Sequence, residues 1–210
     1  MRVAIMEKPY SCIIDKLRVM ARDHCSGSRV WWQGYPVEVG VVAAILSART
    51  RREIIQKNMD RVEAIAMLVD SGVSRPETYM DLARPFGLYK SRSRTLAVLA
   101  DIAARYGGLR GLLESLGCGE LVGVLLRVPG IGVKTARIIA VMKGCNYFVV
   151  DSNILRILNI LGRDCGVQYR DIYEAMEELD GYFDYQESIR LHFCLMEMGR
   201  KHRGESIVDK

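Results

Sequence analysis

The residues of this chain whose types and spacing could do chemistry lie between Leu126 and Ala136, where it reads Leu-Arg-Val-Pro-Gly-Ile-Gly-Val-Lys-Thr-Ala. A helix ends near Arg127, Pro129-Gly130-Ile131-Gly132 makes a tight turn, and a second helix begins at once. The two glycines permit positive φ and leave backbone N–H groups uncovered by side chains. Those groups sit at the N-terminus of the helix from Val133, where the dipole favours an anion. Such a hairpin suits a nucleic-acid phosphate gripped without reading sequence. An ordinary connection between two helices uses the same Pro and Gly, so the turn by itself does not choose.

Lys134 adds a second signal. It stands in the first turn of that helix, where the positive end of the dipole disfavours an ammonium and Asp or Glu is the usual choice. Partial desolvation there enlarges the neutral fraction of the amine, as a nucleophile that forms a Schiff base requires. The competing reading is a solvated surface lysine. Asp151 follows the apolar run Phe148-Val149-Val150 and precedes another helix. Its carboxylate can cap that helix, or stabilise positive charge developing on a sugar, or do both.

The elements that must position these residues are helical nearly throughout. Ile13, Ile14, Leu17 and Met20 recur at helical spacing, as do Ile54, Ile55, Met59, Val62, Ile65 and Ala66. Ser74, Pro76 and Glu77 read as a capping box opening a helix over 74–84. Further helices are predicted over 91–106, 109–117, 119–127, 133–143, 151–161, 169–180 and 184–199. Only Tyr147 to Val150 reads as extended, too short for a sheet, so the fold class is all-α. The helix at 151–161 is apolar almost all round, which predicts a place between other elements.

Composition agrees with a globular domain: 210 residues, 50% apolar and 26% charged, with 30 Lys+Arg against 25 Asp+Glu. The longest apolar run, Val39 to Leu46, is well short of the ~20 residues a membrane span needs. The start of the chain is too soon charged for a secretion signal, so a cytoplasmic location is expected, with no membrane partner. The six cysteines (Cys12, Cys25, Cys118, Cys145, Cys165 and Cys194) show no C-x-x-C pair and read as buried thiols in a reducing compartment, bridges being reserved for a hyperthermophilic source.

At this level the chain resembles the helix-hairpin-helix DNA glycosylases of the endonuclease III type. Val128 to Ala136 is similar to their L-P-G-V-G-x-K-T-A, and Val150-Asp151-Ser152-Asn153 to their V-D-T-H. Ile45-Leu46-Ser47-Ala48-Arg49-Thr50 resembles L-S-A-Q-x-T, Gly87 to Arg92 resembles G-L-Y-x-x-K, and Met196 to Gly199 looks like the last core helix. These anchors span about residues 35–200. The resemblance implies two helical lobes with a DNA cleft between them: a six-helix barrel over 30–145, ending in the hairpin, and a second domain from 1–29 and 146–210. It implies Lys134 as nucleophile and Asp151 as essential carboxylate, with damaged double-stranded DNA bound by a monomer. Val128, Gly130, Ile131, Gly132, Val133, Thr135, Ser47, Arg49 and Arg51 are the implied DNA contacts.

Departures from the family pattern sharpen the expectation. No cysteines follow Gly199, so no [4Fe–4S] cluster and no other cofactor is predicted. Arg49 stands where the family has a Gln that fills the gap left by a flipped base, and could serve as that wedge or contact a phosphate beside Arg51 and Arg52. Ala44 occupies the place of the catalytic Glu of adenine-removing relatives, which disfavours adenine. The activity implied is base release with AP lyase cleavage, on 8-oxoguanine or an oxidised pyrimidine. Val-Asp-Ser-Asn also resembles the mismatch enzymes, so a monofunctional thymine or uracil glycosylase is one alternative and a non-catalytic DNA-binding module another. Trp31, Trp32 and Tyr35 are candidates for stacking on a base, and Lys210 ends a charged tail.

Overall fold

The segments with apolar residues at helical spacing fold as helices in the structure, a computed structural model that describes residues 10–25 and 34–201. No strand forms among them, and the chain is all-α. Trp31, Trp32 and Lys210 lie outside the described residues. Two compact units divide the chain, one from 1–31 with 146–210, the other from 32–145.

The 32–145 unit is built around α2 (Val37–Ser47), whose residues Val39 to Leu46 are all buried. A helix apolar on every side must be surrounded, and α2 packs on α4 (Met59–Asp70), α6 (Tyr89–Ala104), α7 (Leu109–Ser115) and α9 (Val133–Lys143). The apolar series from Ile54 to Ala66 is broken into α3 (Arg52–Lys57) and α4 at Asn58, whose side-chain amide donates to the Ile54 carbonyl at 2.8 Å. Asn competes for backbone partners in this way and ends helices. The helix expected from Ser74 starts instead at Pro76, as α5 (Pro76–Ala83), with Arg75 at its cap and no side-chain cap bond. Proline holds the preceding residue extended and opens the helix at its own position, so Ser74 falls one residue too early. The hairpin is completed by α8 (Cys118–Leu125).

The other unit combines α1 (Tyr10–Asp23), α10 (Ser152–Gly162), α11 (Ile172–Leu179) and α12 (Tyr185–Lys201). As its apolar character predicts, α10 lies between other elements, packing on α1, α11 and α12. Ile154, Ile157 and Leu158 are buried, while Leu155, Ile160 and Leu161 are only half-buried. The helix is therefore covered by its neighbours, most fully along Ile154, Ile157 and Leu158. Close packing of α12 on α10 depends on Gly199, where a Cβ would stand 2.8 Å from that of Asn153.

The cysteines also depart from expectation. All six are bridged: Cys12 to Cys165 and Cys25 to Cys194 in the first unit, Cys118 to Cys145 in the second. Separations of 153, 169 and 27 residues leave no local spacing from which such pairs could be read.

Candidate functional site

The hairpin turn is anchored by two apolar side chains. Val128 and Ile131 are 1% and 5% exposed, the Val128 amide donates to Leu125 O at 3.0 Å, and the Ile131 amide to Val128 O at 3.1 Å. These two residues, expected among the DNA contacts, thus hold the turn with both side chain and amide. The amides of Gly130, Gly132 and Val133 donate to no backbone carbonyl among the described residues. Gly130 has φ +89°, a conformation L side chains rarely adopt, and a Cβ there would lie 2.5 Å from the Thr95 hydroxyl oxygen. Gly132 caps α9 with extended backbone and offers no side chain to its first amides. No acidic residue occupies that first turn, which holds half-buried Lys134 and Thr135.

At the other end of the hairpin, Glu120 accepts from the Gly117 amide at 2.9 Å, fixing the start of α8. The Cys118–Cys145 bridge joins the first residue of α8 to the residue beyond the Gly144 that ends α9. Both helices are thereby tied at the ends away from the turn.

The segment after α2 forms a second feature of the same unit. Arg49 is exposed and has φ +59°, and Leu88 is 59% exposed with φ +48°; no other described non-glycine residue has positive φ. Such backbone costs of order 1 kcal/mol and persists where the surroundings impose it. Arg92 brackets the first of these positions. Only 5% exposed, its guanidinium donates to Leu46 O at 2.7 Å, to Ala48 O, and to Thr50 Oγ1 at 2.9 Å, while Thr50 Oγ1 donates to Phe86 O at 2.9 Å. The turns bearing Arg49 and Leu88 are stitched together. Burial pulls Arg92 below the ordinary guanidinium value, yet a guanidinium stays charged at any ordinary pH. Arg51 is exposed at the cap of α3, and Ser47 directs its hydroxyl back to Ala44 O at 2.8 Å.

Asp151 lies in the first unit, at the end of an extended stretch in which Phe148, Val149 and Val150 are buried. Buried backbone outside helix or sheet must find other partners. The Phe148 amide donates to Asp180 Oδ1 at 2.8 Å, and Val149 O faces His192 Nδ1 at 2.9 Å, which makes that ring nitrogen the donor. The Gly181 amide donates to Asn146 O at 3.3 Å. So held, Asp151 caps α10: its Oδ1 accepts from the amides of Asn153 and Ile154, both at 2.9 Å.

Sequence reasoning found Lys134, Asp151 and Arg49, met Leu88 and Arg92 only as part of the Gly87–Arg92 resemblance and gave them no role, and passed over Thr95, Asp180 and His192. That resemblance, with Arg92 at its last position, was the signal that could have been followed.

The helical architecture gives the class: this chain has the fold of the helix-hairpin-helix DNA glycosylases. Among solved structures, the H. pylori 3-methyladenine DNA glycosylase MagIII, bound to 1,N6-ethenoadenine, matches with a TM-score of 0.69 at 16% identity, over 92% of this chain and 99% of its own. A trapped endonuclease III–DNA covalent intermediate, in an estranged-adenine complex, gives 0.64 at 21% identity, over 94% and 87% respectively. No protein-family model matches the chain, and neither does any curated protein. Among the described residues no helix is long and apolar enough to cross a membrane.

Proposed function

We propose that this chain is a DNA glycosylase with AP lyase activity that removes an oxidised base, 8-oxoguanine or an oxidised pyrimidine. The observation that carries this reading is Lys134, an amine in the first turn of α9, a turn that contains no acidic residue of its own and opens on Gly132 without a side-chain cap. The hairpin amides and the dipole of α9 hold a DNA phosphate, which brings that turn to the sugar-phosphate backbone. Arg49 enters the stack where the damaged base has left it, with Leu88 as an apolar wedge from the adjoining turn.

In the chemical step the Lys134 amine attacks C1′ and the N-glycosidic bond breaks, its electron pair leaving with the base, which takes up the proton that the amine gives off. Asp151 stabilises the positive charge that develops on the sugar. Opening of the sugar ring converts the adduct to a protonated Schiff base. Loss of a C2′ proton then expels the 3′ phosphate by β-elimination, cutting the strand.

A second reading has its own support. The fold neighbour MagIII is a 3-methyladenine glycosylase solved with an alkylated adenine base. Under that reading the substrate is an alkylated purine, water is the nucleophile, and Lys134 contacts DNA only.

Duplexes carrying 8-oxoguanine, thymine glycol, 1,N6-ethenoadenine or a thymine mismatched with guanine separate the readings when incubated with the protein and resolved with and without alkali. Alkali-independent cleavage of an oxidised-base duplex, with a borohydride-trapped adduct on Lys134, is the expected result. Cleavage of the ethenoadenine duplex only after alkali, with no adduct, selects the second reading. Salt-sensitive binding with no base release from any of these duplexes leaves only a DNA-binding module.

A further inference from the structure

The first half of α6 touches both turns that the proposed reaction needs from its unit. Arg92 reaches one of them through Leu46 O, Ala48 O and Thr50 Oγ1. Thr95, on the next turn of the helix and 3% exposed, reaches the other: its hydroxyl donates to Pro129 O at 2.6 Å, inside the hairpin. A threonine hydroxyl has one proton to donate. Its customary acceptor in a helix is the carbonyl one turn back, and Ser91 O lies 3.2 Å away. The shorter contact goes to the hairpin, and the hairpin backbone approaches Thr95 closely enough that only a glycine fits at position 130.

We infer that Thr95 and Arg92 are positioning residues that register the phosphate-gripping hairpin against the Arg49 turn through one rigid stretch of helix. Two segments that contact DNA separately must keep a fixed spacing to act on the same nucleotide, and misplacement by about an ångström is costly to rate. Thr95 sets the hairpin, and Arg92 brackets the turn that presents Arg49. The inference rests on the glycosylase reading for its consequence, but the grip of Thr95 on the hairpin has its own measurement.

That measurement is hydrogen exchange of the DNA-free protein over residues 126–133. Thr95→Val keeps the shape and loses the proton, and is expected to speed exchange there about ten-fold, the usual effect of one lost hydrogen bond; Thr95→Ser restores protection. Thr95→Ala replaces Thr95→Val if the latter fails to fold. On a duplex with a non-cleavable abasic analogue, Thr95→Val should raise Kd about ten-fold, and at saturating protein it should also lower the single-turnover rate, because the hairpin that carries Lys134 loses its register. Arg92→Lys should lower that rate and leave binding to undamaged duplex unchanged. Wild-type exchange in Thr95→Val overturns the inference whatever DNA does. If the wild-type protein binds no duplex at all, the glycosylase reading falls instead, and the exchange experiment still decides whether Thr95 holds the hairpin.

Discussion

The helices α9 and α10 begin in opposite ways, and the candidate chemistry sits at both beginnings. The first opens on Gly132, has no side-chain cap and carries a lysine in its first turn. The second opens on Asp151, whose carboxylate takes two of its amides at 2.9 Å. Every helix start leaves amides that need acceptors. Asp151 supplies them from the chain, and the same bonds fix the carboxylate in one orientation. At Gly132 there is no side-chain cap, and under the proposed function a DNA phosphate is the acceptor. The difference teaches that a missing cap is informative when the turn beside it is otherwise well built: the hairpin is anchored by Val128 and Ile131, gripped by Thr95 and tied by a disulfide.

Removing the amine breaks the comparison most severely. Lys134→Ala should abolish the borohydride adduct and reduce alkali-independent strand cleavage by about a thousand-fold or more, while duplex binding persists because the hairpin backbone is unchanged. Gel resolution of trapped and untrapped reactions checks this. An undiminished adduct from another amine would displace Lys134. Next is Asp151→Asn. Asparagine caps a helix about as well as aspartate, so Tm should move by only a degree or two, yet base release should fall by about a hundred-fold because the negative charge is gone. A thermal melt beside single-turnover base release separates the two roles.

The comparison can also be inverted. A Cβ at Gly132 meets nothing within 4 Å, and the φ of −94° there suits any residue. Gly132→Asp should therefore give α9 the cap that α10 has, adding a few tenths of a kcal/mol to stability. It would place a carboxylate where the phosphate belongs and weaken duplex binding by about ten- to a hundred-fold, most at low salt. Fluorescence anisotropy across a salt series reads this. Unchanged affinity would remove the hairpin from the DNA interface.

How much of this was legible in the sequence follows from how local each determinant is. The turn, Lys134 and Asp151 were readable because Pro, Gly and a capping Asp act within a few residues of themselves. All-helical folding was readable from apolar spacing. Arg92 and Thr95 were not, since each bonds to carbonyls at least 34 residues away and nothing in the sequence names a backbone acceptor. Asp180 and His192, which hold the segment leading to Asp151, were hidden for the same reason. The place of 151–161 between other elements was readable from its apolar run, and α10 packs on α1, α11 and α12. The disulfides were misread because their partners meet only in the folded chain.

The Cys118–Cys145 bridge gives the hairpin a support that reaches neither turn residue directly. Closing a loop of this length stabilises by about 3 kcal/mol in the chain-entropy account. The double variant Cys118→Ser, Cys145→Ser should lower the Tm of the 32–145 unit by about 10 °C. Base release at a temperature well below the transition should remain within about two-fold, because Val128, Ile131 and Thr95 still hold the turn. Calorimetry with intact and reduced wild-type protein is the companion measurement.

The smallest expected effect is the one that tests whether the comparison concerns chemistry at all. Asp171 caps α11 with the geometry of Asp151: its Oδ1 accepts from the amides of Tyr173 and Glu174 at 2.8 and 3.0 Å, on an exposed helix start. Asp171→Asn should cost no more than a few tenths of a kcal/mol, and Asp171→Ala about 1 kcal/mol, the ordinary value of a cap. Neither should alter base release or the trapped adduct. If Asp171→Asn lowers base release as far as Asp151→Asn does, the loss at Asp151 reports a disturbed helix start rather than a missing charge. The two aspartates share a capping role, and only a difference between their asparagine variants assigns Asp151 anything more.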